Sequence, residues 1–77
     1  MVAPWSAADN LGLLKASIRD NDPVIFLENE MMYGTEFELS PEEMSMDFLL
    51  PIGKAKIERT GKDVTITAFA KMVGFSL

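Results

Sequence analysis

An unusual density of oxygen atoms lies at residues 17–22, with the sequence SIRDND, where we predict the end of a helix. The last carbonyl groups of a helix have no partner within it, and the helix dipole places partial negative charge there. Asp20 and Asp22 add two carboxylates beside these carbonyls. Such a corner suits a hard cation bound by carbonyl and carboxylate oxygens. Asp-Asn-Asp-Pro is also a common turn composition, so a plain turn is the alternative.

Other groups that could do chemistry are few. The chain has no His and no Cys, which removes the commonest general base, thiolate metal ligands and disulfides. A serine such as Ser6 therefore has no histidine to activate it. Glu28 and Glu30 would share one face of a strand, but nothing gives them the different environments that an acid and a base require. We predict no catalytic and no cofactor-binding residue, since no glycine-rich phosphate loop is present either.

The corner is positioned by a predicted helix over residues 7–20. Ser6 is a favourable N-cap, and Asp9 stands three residues further on, as in a capping box. Apolar residues follow at helical spacing. Gly12 inside the helix costs about 1 kcal/mol relative to Ala, and a close neighbouring element is one possible reason for it. Pro23 prevents the helix from continuing.

A continuous apolar run, residues 24–27 (VIFL), follows the corner. A strand exposed on one face would alternate, so this run predicts a strand buried on both faces, as in a parallel sheet covered by helices. Residues 1–3 could be the end of a neighbouring strand. Strand end, helix and strand then form the second half of a βαβ unit. Residues 28–30 (ENE) lie at the carboxyl end of this strand, where ligands tend to bind in open α/β sheets, or are simply a polar loop.

Residues 31–47 form a long irregular segment with five acids, for which we predict only one helical turn, beginning at Ser40. Its many apolar side chains indicate that part of it lies against protein. Residues 54–59 and 64–69 alternate or are rich in β-branched residues, with a turn between them, and predict a hairpin or two adjacent strands. Residues 72–77 begin a further apolar segment. Neither half of the chain closes a core alone, so we expect a piece of a larger subunit.

Composition limits the class of function. The 77 residues allow one small domain at most, and the net charge of −5 disfavours nucleic acid as a partner. No apolar run approaches the roughly 20 residues of a membrane helix, so no membrane partner is expected. The first residues, MVAPWS, do not resemble a signal peptide or a mitochondrial presequence.

The runs PWSAADNLGLLKASIRDNDPVIFLENEMMYG and DFLLPIGKAKIERTGKDVTIT closely resemble the beta subunit of pyruvate dehydrogenase, the thiamine-diphosphate-dependent first component of its complex. The resemblance implies an α/β fold in three parts. Residues 1–30 would be the end of the parallel-sheet, pyrimidine-binding-type domain of a thiamine-diphosphate enzyme. Residues 31–50 would be an interdomain connection, and residues 51–77 the first strands of a transketolase C-terminal-type domain.

The resemblance also implies a potassium ion at the corner, with Ser17, Ile18, Asp20 and Asp22 as ligands. Backbone carbonyls would serve at Ser17 and Ile18. Ser17 stands where Ala is commoner in the family, and Asp22 where Asn is commoner, which adds a negative charge near the cation. Thiamine diphosphate would be bound by parts of the enzyme outside this chain.

The implied function is a structural part of an oxidoreductase that decarboxylates pyruvate and transfers the acetyl group to lipoamide, feeding acetyl-CoA synthesis. The isolated chain would be inactive. The implied partners are the alpha subunit, a second beta subunit in a heterotetramer, and the dihydrolipoyl acetyltransferase core. The implied location is the mitochondrial matrix, with the bacterial cytoplasm or a plastid as alternatives. Alternative functions are a non-catalytic partner-binding fragment and the branched-chain 2-oxo-acid dehydrogenase beta subunit.

Overall fold

The computed structural model describes all 77 residues. Helix α1 spans Ala7–Arg19, a 3₁₀ helix spans Glu30–Met32, and helix α2 spans Lys71–Ser76. Turns, bends and irregular segments connect them, and one isolated parallel β-bridge joins Val2 to Phe26. No helix is long and apolar enough to cross a membrane.

Helix α1 begins and ends where the sequence predicts, within one residue at its end. The Ser6 Oγ accepts from the Asp9 N–H at 3.1 Å, and the Asp9 Oδ2 accepts from the Ser6 N–H at 3.2 Å, which completes the predicted capping box. At the other end the Asp20 N–H donates to the Ser17 carbonyl at 3.3 Å, and the backbone of Asp20 is extended.

The bridge brings the first residues beside the run 24–27. The Val2 N–H donates to the Ile25 carbonyl at 2.9 Å, and the Leu27 N–H donates to the Val2 carbonyl at 2.8 Å. Parallel pairing across a helix is the arrangement of a βαβ unit. The predicted strand is present only as this bridge, and it is not covered on both faces, because Ile25 is 59% exposed.

Gly12 lies against the segment that leads into the second half of the chain. A Cβ atom at Gly12 would lie 2.7 Å from the Cγ of Leu50 and 3.0 Å from the Cε2 of Phe48. The Leu50 N–H also donates to the Gly12 carbonyl at 3.3 Å. The possible reason given above for a glycine inside α1, a close neighbour, is therefore confirmed.

Part of the segment 31–47 lies against the first half, as predicted. The rings of Trp5 and Phe37 meet edge to face with centroids 5.3 Å apart. The Lys15 ammonium donates to the Ser45 carbonyl at 2.7 Å. The predicted single turn forms at Ser40, whose Oγ accepts from the Glu43 N–H at 3.2 Å. Other apolar side chains of the segment are exposed: Met31, Tyr33, Met44 and Met46.

The predicted hairpin over residues 54–69 is not formed. Every residue from 53 to 69 is exposed, and residues 55–68 make no backbone hydrogen bond. A two-stranded hairpin is marginally stable by itself and requires a third strand or a packed helix. No third strand pairs with these residues, and their polar contact with helix α1 is the ion pair of Lys56 with Asp9.

Helix α2 was not predicted from the sequence. It follows Ala70, whose φ of 49° and ψ of −135° are unfavourable for a residue with a Cβ atom. Its Gly74 lies close to the indole of Trp5, since a Cβ atom there would be 3.2 Å from the Trp5 Nε1.

The core of the chain is small. Five residues of 77 are buried: Val2, Pro4, Ala8, Asp9 and Gly12. The accessible surface is 6387 Å², whereas a folded monomer of 8.5 kDa exposes about 4,700 Å². The 25 backbone–backbone hydrogen bonds are about half of the ~50 expected for this length. The chain therefore leaves much of its apolar surface and backbone without partners.

Candidate functional site

The predicted cation corner is formed by the end of α1 and the turn into Pro23. The carbonyl of Ile18 accepts no hydrogen bond from the rest of the chain, because α1 ends before a donor can reach it. The Ser17 carbonyl accepts one, from Asp20, and retains a second lone pair. The Ser17 hydroxyl donates to the Leu13 carbonyl at 2.7 Å. At Ser17 and Ile18, backbone oxygens are thus the free donors to a cation.

The two carboxylates of the corner are both exposed. The Asp20 Oδ1 accepts from the Asp22 N–H at 2.8 Å, so the backbone curls around one oxygen of Asp20. The other oxygen of Asp20 and both oxygens of Asp22 have no partner in the chain. Two carbonyls and two carboxylates are hard oxygen donors, of the kind that suit a hard cation.

No group of three or more His, Cys, Asp or Glu side chains is close enough to hold a metal ion. That finding does not test the corner, whose predicted set includes only two such side chains. The ligand set at Ser17, Ile18, Asp20 and Asp22 therefore stays a prediction.

A cleft of about 430 Å³ lies beside the carboxyl end of the run 24–27. Aromatic and aliphatic side chains, including Trp5 and Phe37, form most of its wall, and Glu28 and Asn29 supply polar groups. The sequence analysis pointed to this edge through residues 28–30. The cleft has no Lys or Arg in its wall, so it does not fit the diphosphate of thiamine diphosphate.

Tyr33 and Glu28 form the strongest polar contact of this cleft. The Tyr33 hydroxyl donates to the Glu28 Oε2 at 2.6 Å. This hydrogen bond, together with the negative charge of Glu28, raises the pKa of Tyr33 above its ordinary value of 10.0. The sequence did not indicate the pair, because its five-residue spacing matches neither a helix nor a strand face.

A second polar cluster joins the two halves of the chain. The Lys56 ammonium donates to the Asp9 Oδ1 at 3.2 Å and to the Glu58 Oε1 at 3.0 Å. Partial burial lowers the pKa of Lys56, but the hydrogen bonds to Glu58 and Asp9 outweigh it, and the pKa is raised above 10.5. Asp9 also accepts from the backbone N–H of Trp5 at 3.2 Å. One carboxylate thus caps α1 and holds a residue 47 positions away.

Comparison with known proteins identifies a class to which the sequence of this chain is similar, the beta subunits of the pyruvate dehydrogenase E1 component. The chain is 66% identical over all 77 residues to the beta subunit of the mitochondrial pyruvate dehydrogenase E1 component of Pisum sativum. It is 65% identical to the beta-1 subunit of Arabidopsis thaliana and 60% identical to the subunit of Bos taurus. In each case the match covers all of this chain and 21% of the relative.

The resemblance stated from the sequence is thereby confirmed. The chain spans about a fifth of the length of the curated relatives it matches. The names of these relatives place them in mitochondria, which confirms the expected mitochondrial location. No family profile matches the chain, and no solved structure matches it.

Proposed function

We propose that this chain is a structural segment of the beta subunit of a mitochondrial pyruvate dehydrogenase, an oxidoreductase of the matrix. The observation that carries the proposal is an identity of 60–66% over matches that span all 77 residues of the chain.

The uncovered surface supports a role inside a larger protein. The accessible area exceeds that of a compact monomer of this mass by about 1,700 Å². An obligate interface typically buries an area of this size on each of the two partners. The large exposed side chains Ile25, Ile57 and Phe69 are 59%, 79% and 68% accessible. The remaining four-fifths of a beta subunit would cover them.

The activity of the whole enzyme is the oxidative decarboxylation of pyruvate with transfer of the acetyl group to lipoamide. Thiamine diphosphate, when bound elsewhere in the enzyme, stabilises the carbanion of this reaction. This chain supplies packing and no catalytic group. Its proposed partners are the alpha subunit, the second beta subunit and the dihydrolipoyl acetyltransferase core.

The proposed fold places residues 1–30 in the pyrimidine-binding-type domain and residues 51–77 in the transketolase C-terminal-type domain. The parallel bridge between Val2 and Phe26 supports the first assignment. The alternating pattern of residues 54–59 and 64–69 supports the second. In the full sheet, neighbouring strands would supply the backbone partners that these segments lack.

A chimeric enzyme tests the proposed function. The matching 77 residues of the pea beta subunit are replaced by this chain, and the chimera is produced with the pea alpha subunit. We expect assembly of the heterotetramer and pyruvate-dependent reductive acetylation of lipoamide at a rate within a few-fold of the parent. A chimera that folds by circular dichroism but fails to bind the alpha subunit would contradict the proposal.

The proposed potassium site consists of the Ser17 and Ile18 carbonyls with the Asp20 and Asp22 carboxylates. Asp20→Ala in the chimera removes one ligand and should reduce the rise in melting temperature that potassium produces. Asp47→Ala is a matched control, because Asp47 is also an exposed acid but lies outside the corner. Equal potassium-dependent shifts in the parent and in Asp20→Ala would refute the assignment.

The exposed apolar surface also favours a second candidate, a fragment that binds partners without being part of an enzyme. Binding of this chain to the intact, already assembled heterotetramer would support that candidate. The branched-chain alternative has no support among the three relatives described above, which are all named as pyruvate dehydrogenase subunits.

A further inference from the structure

Two opposite faces of helix α1 lie against different parts of the chain. On one face, Ala7 and Leu11 line the cleft together with Leu27 of the apolar run. The opposite face carries four residues at spacings of three, four and three: Asp9, Gly12, Ala16 and Arg19. Residues 45–56, which we call the crossing segment, pass over this second face. Helix α1 is therefore enclosed between the first half of the chain and the segment that leads into the second half.

The crossing segment contacts α1 along most of the length of the helix. At the first turn of α1, the Lys56 ammonium lies 3.2 Å from the Asp9 Oδ1. In the middle of α1, the Leu50 N–H donates to the Gly12 carbonyl at 3.3 Å, and the Leu50 side chain occupies the space that a Cβ atom on Gly12 would need. Towards the end of α1, residues 49–52 line a shallow depression with the helix. Both partners of each contact belong to this chain, so the contacts do not depend on the rest of the subunit.

A turn at residues 52–53 directs the crossing segment back along α1. The φ angle of Gly53 is +86°, in the left-handed region that a residue with a Cβ atom rarely adopts. The turn lies between Leu50, which contacts the middle of α1, and Lys56, which contacts its first turn. Two glycines therefore serve one arrangement, because Gly12 allows the close approach and Gly53 allows the change of direction.

We propose that the crossing segment is a strap that fixes the start of the second domain to α1 in the assembled beta subunit, and that it stays on α1 while the enzyme turns over. The inference rests on the proposed function, which assigns residues 51–77 to that second domain. One helix then sets the relative position of the two domains, since its other face contacts the first domain. Asp9 is the positioning residue, because its carboxylate both caps α1 and binds Lys56.

A disulfide across the contact tests whether the strap stays in place. The Cβ position of Gly12 lies 2.7 Å from the Leu50 Cγ, which is one bond from the Leu50 Cβ. The two Cβ positions are therefore within roughly 4 Å, the separation that a disulfide spans. In the chimeric enzyme, Gly12→Cys/Leu50→Cys should form this bond on oxidation, as detected by mass spectrometry of its peptides. Gly61→Cys/Leu50→Cys is the matched control and should not form it, because a Cβ atom at Gly61 meets nothing within 4 Å.

We expect the oxidised enzyme to keep the rate of its reduced form. A rate that falls on oxidation and recovers on reduction would show that the segment must leave α1 during turnover, and would overturn the inference. Failure of the bond to form, or equal formation in the control pair, would also overturn it. Assembly and activity of the parent chimera test the proposed function separately, since the bond forms without any turnover.

A second set of variants tests whether the ion pair holds the strap, and it leaves the cap of α1 intact. Lys56→Met, added to the cysteine pair, should lower the equilibrium constant for the disulfide in a glutathione buffer by a factor of about two to five, the range for a partly exposed ion pair. Lys56→Arg, which keeps the charge, should restore the constant. Lys62→Met is the control, because Lys62 is exposed and forms no ion pair. Equal constants for the two Met variants, or no rescue by Arg, would refute the role given to Lys56 and Asp9.

Discussion

The two ends of the chain are similarly apolar in sequence but differ in what they bury. All five buried residues lie within the first twelve positions. In contrast, every residue from 53 to 69 is exposed. The first region contains a capped helix, a parallel bridge and the contact of Gly12 with Leu50, whereas the second contains irregular backbone and one six-residue helix.

The difference lies in where each region finds its hydrogen-bond partners. A helix satisfies its backbone locally, so α1 forms once Ser6 and Asp9 cap it. A strand satisfies its backbone only through another strand, and residues 54–69 have no third strand beside them. The first region can therefore form its hydrogen bonds within the 77 residues. The second region requires neighbouring strands from outside the chain. Four measurements test this comparison, ordered by expected effect.

Asp9→Ala should have the largest effect, because it removes the acceptor for two backbone N–H groups and for Lys56. We expect the free energy of opening of α1 to fall by about 3 kcal/mol. Amide hydrogen exchange along α1 measures it. Asp47→Ala is the control, since the Asp47 carboxylate has no such partners. Unchanged amide exchange along α1 would mean that the stability of the first region does not depend on this cap.

Gly12→Val should separate α1 from the connection that leads to the second region. The new side chain would overlap Leu50 and Phe48. We expect this overlap to lower the free energy of unfolding by about 2 kcal/mol, a loss that the better helix propensity of Val partly offsets. Protection of the Leu50 amide from exchange reports the contact directly. Gly61→Val provides the matched control, since a Cβ atom at Gly61 meets nothing within 4 Å. Equal effects at the two glycines would contradict the close packing at Gly12.

Lys56 is the polar link between the regions, and its contribution should disappear at high pH. Its pKa is raised in the folded chain, so the stabilisation is fully present below 10.5 and is lost as the pH rises through the raised value. The side chain is half exposed, so we expect less than about 1 kcal/mol. Urea titrations at neutral pH and above pH 11 should show this loss in the parent. Lys56→Met should show a smaller loss over the same range, and an equal loss would rule out the link.

The smallest effect concerns the Tyr33–Glu28 pair of the cleft. Tyr33 is the only tyrosine, so its ionisation is measured directly by ultraviolet absorbance. We expect a titration midpoint above 10.0 in the parent and a lower midpoint in Glu28→Gln, which lacks the negative charge. Glu36→Gln is the control, because Glu36 has no contact with the phenol. Identical midpoints in all three proteins would exclude the hydrogen bond in solution.

Much of the first region could be predicted because its signals are local. The cap at Ser6, the end of α1 before Pro23 and the turn at Ser40 each depend on residues within four positions. The oxygen-rich corner at residues 17–22 was predicted by the same reasoning, and its cation ligands, which the resemblance implies, stay a prediction. For the parallel bridge, the sequence predicted only that residues 1–3 could be the end of a strand beside the run 24–27.

The differences between sequence pattern and structure concern contacts between distant residues. The pattern of residues 54–69 describes a strand correctly only if a sheet is present, and composition does not show whether it is. Lys56 was identified as part of an alternating strand, and its contact with Asp9 depends on how the chain returns to α1. Helix α2 follows an unfavourable Ala70 backbone that no sequence pattern indicates.

Trp5 gives the molecule a spectroscopic signal of its own. It is the only tryptophan, its ring meets Phe37 edge to face, and its Nε1 lies close to Gly74. Three stretches of the polypeptide that are far apart in sequence therefore meet at one fluorophore. Its emission wavelength and quenching by acrylamide would report, in a single titration, whether the carboxyl-terminal helix is docked or has swung away.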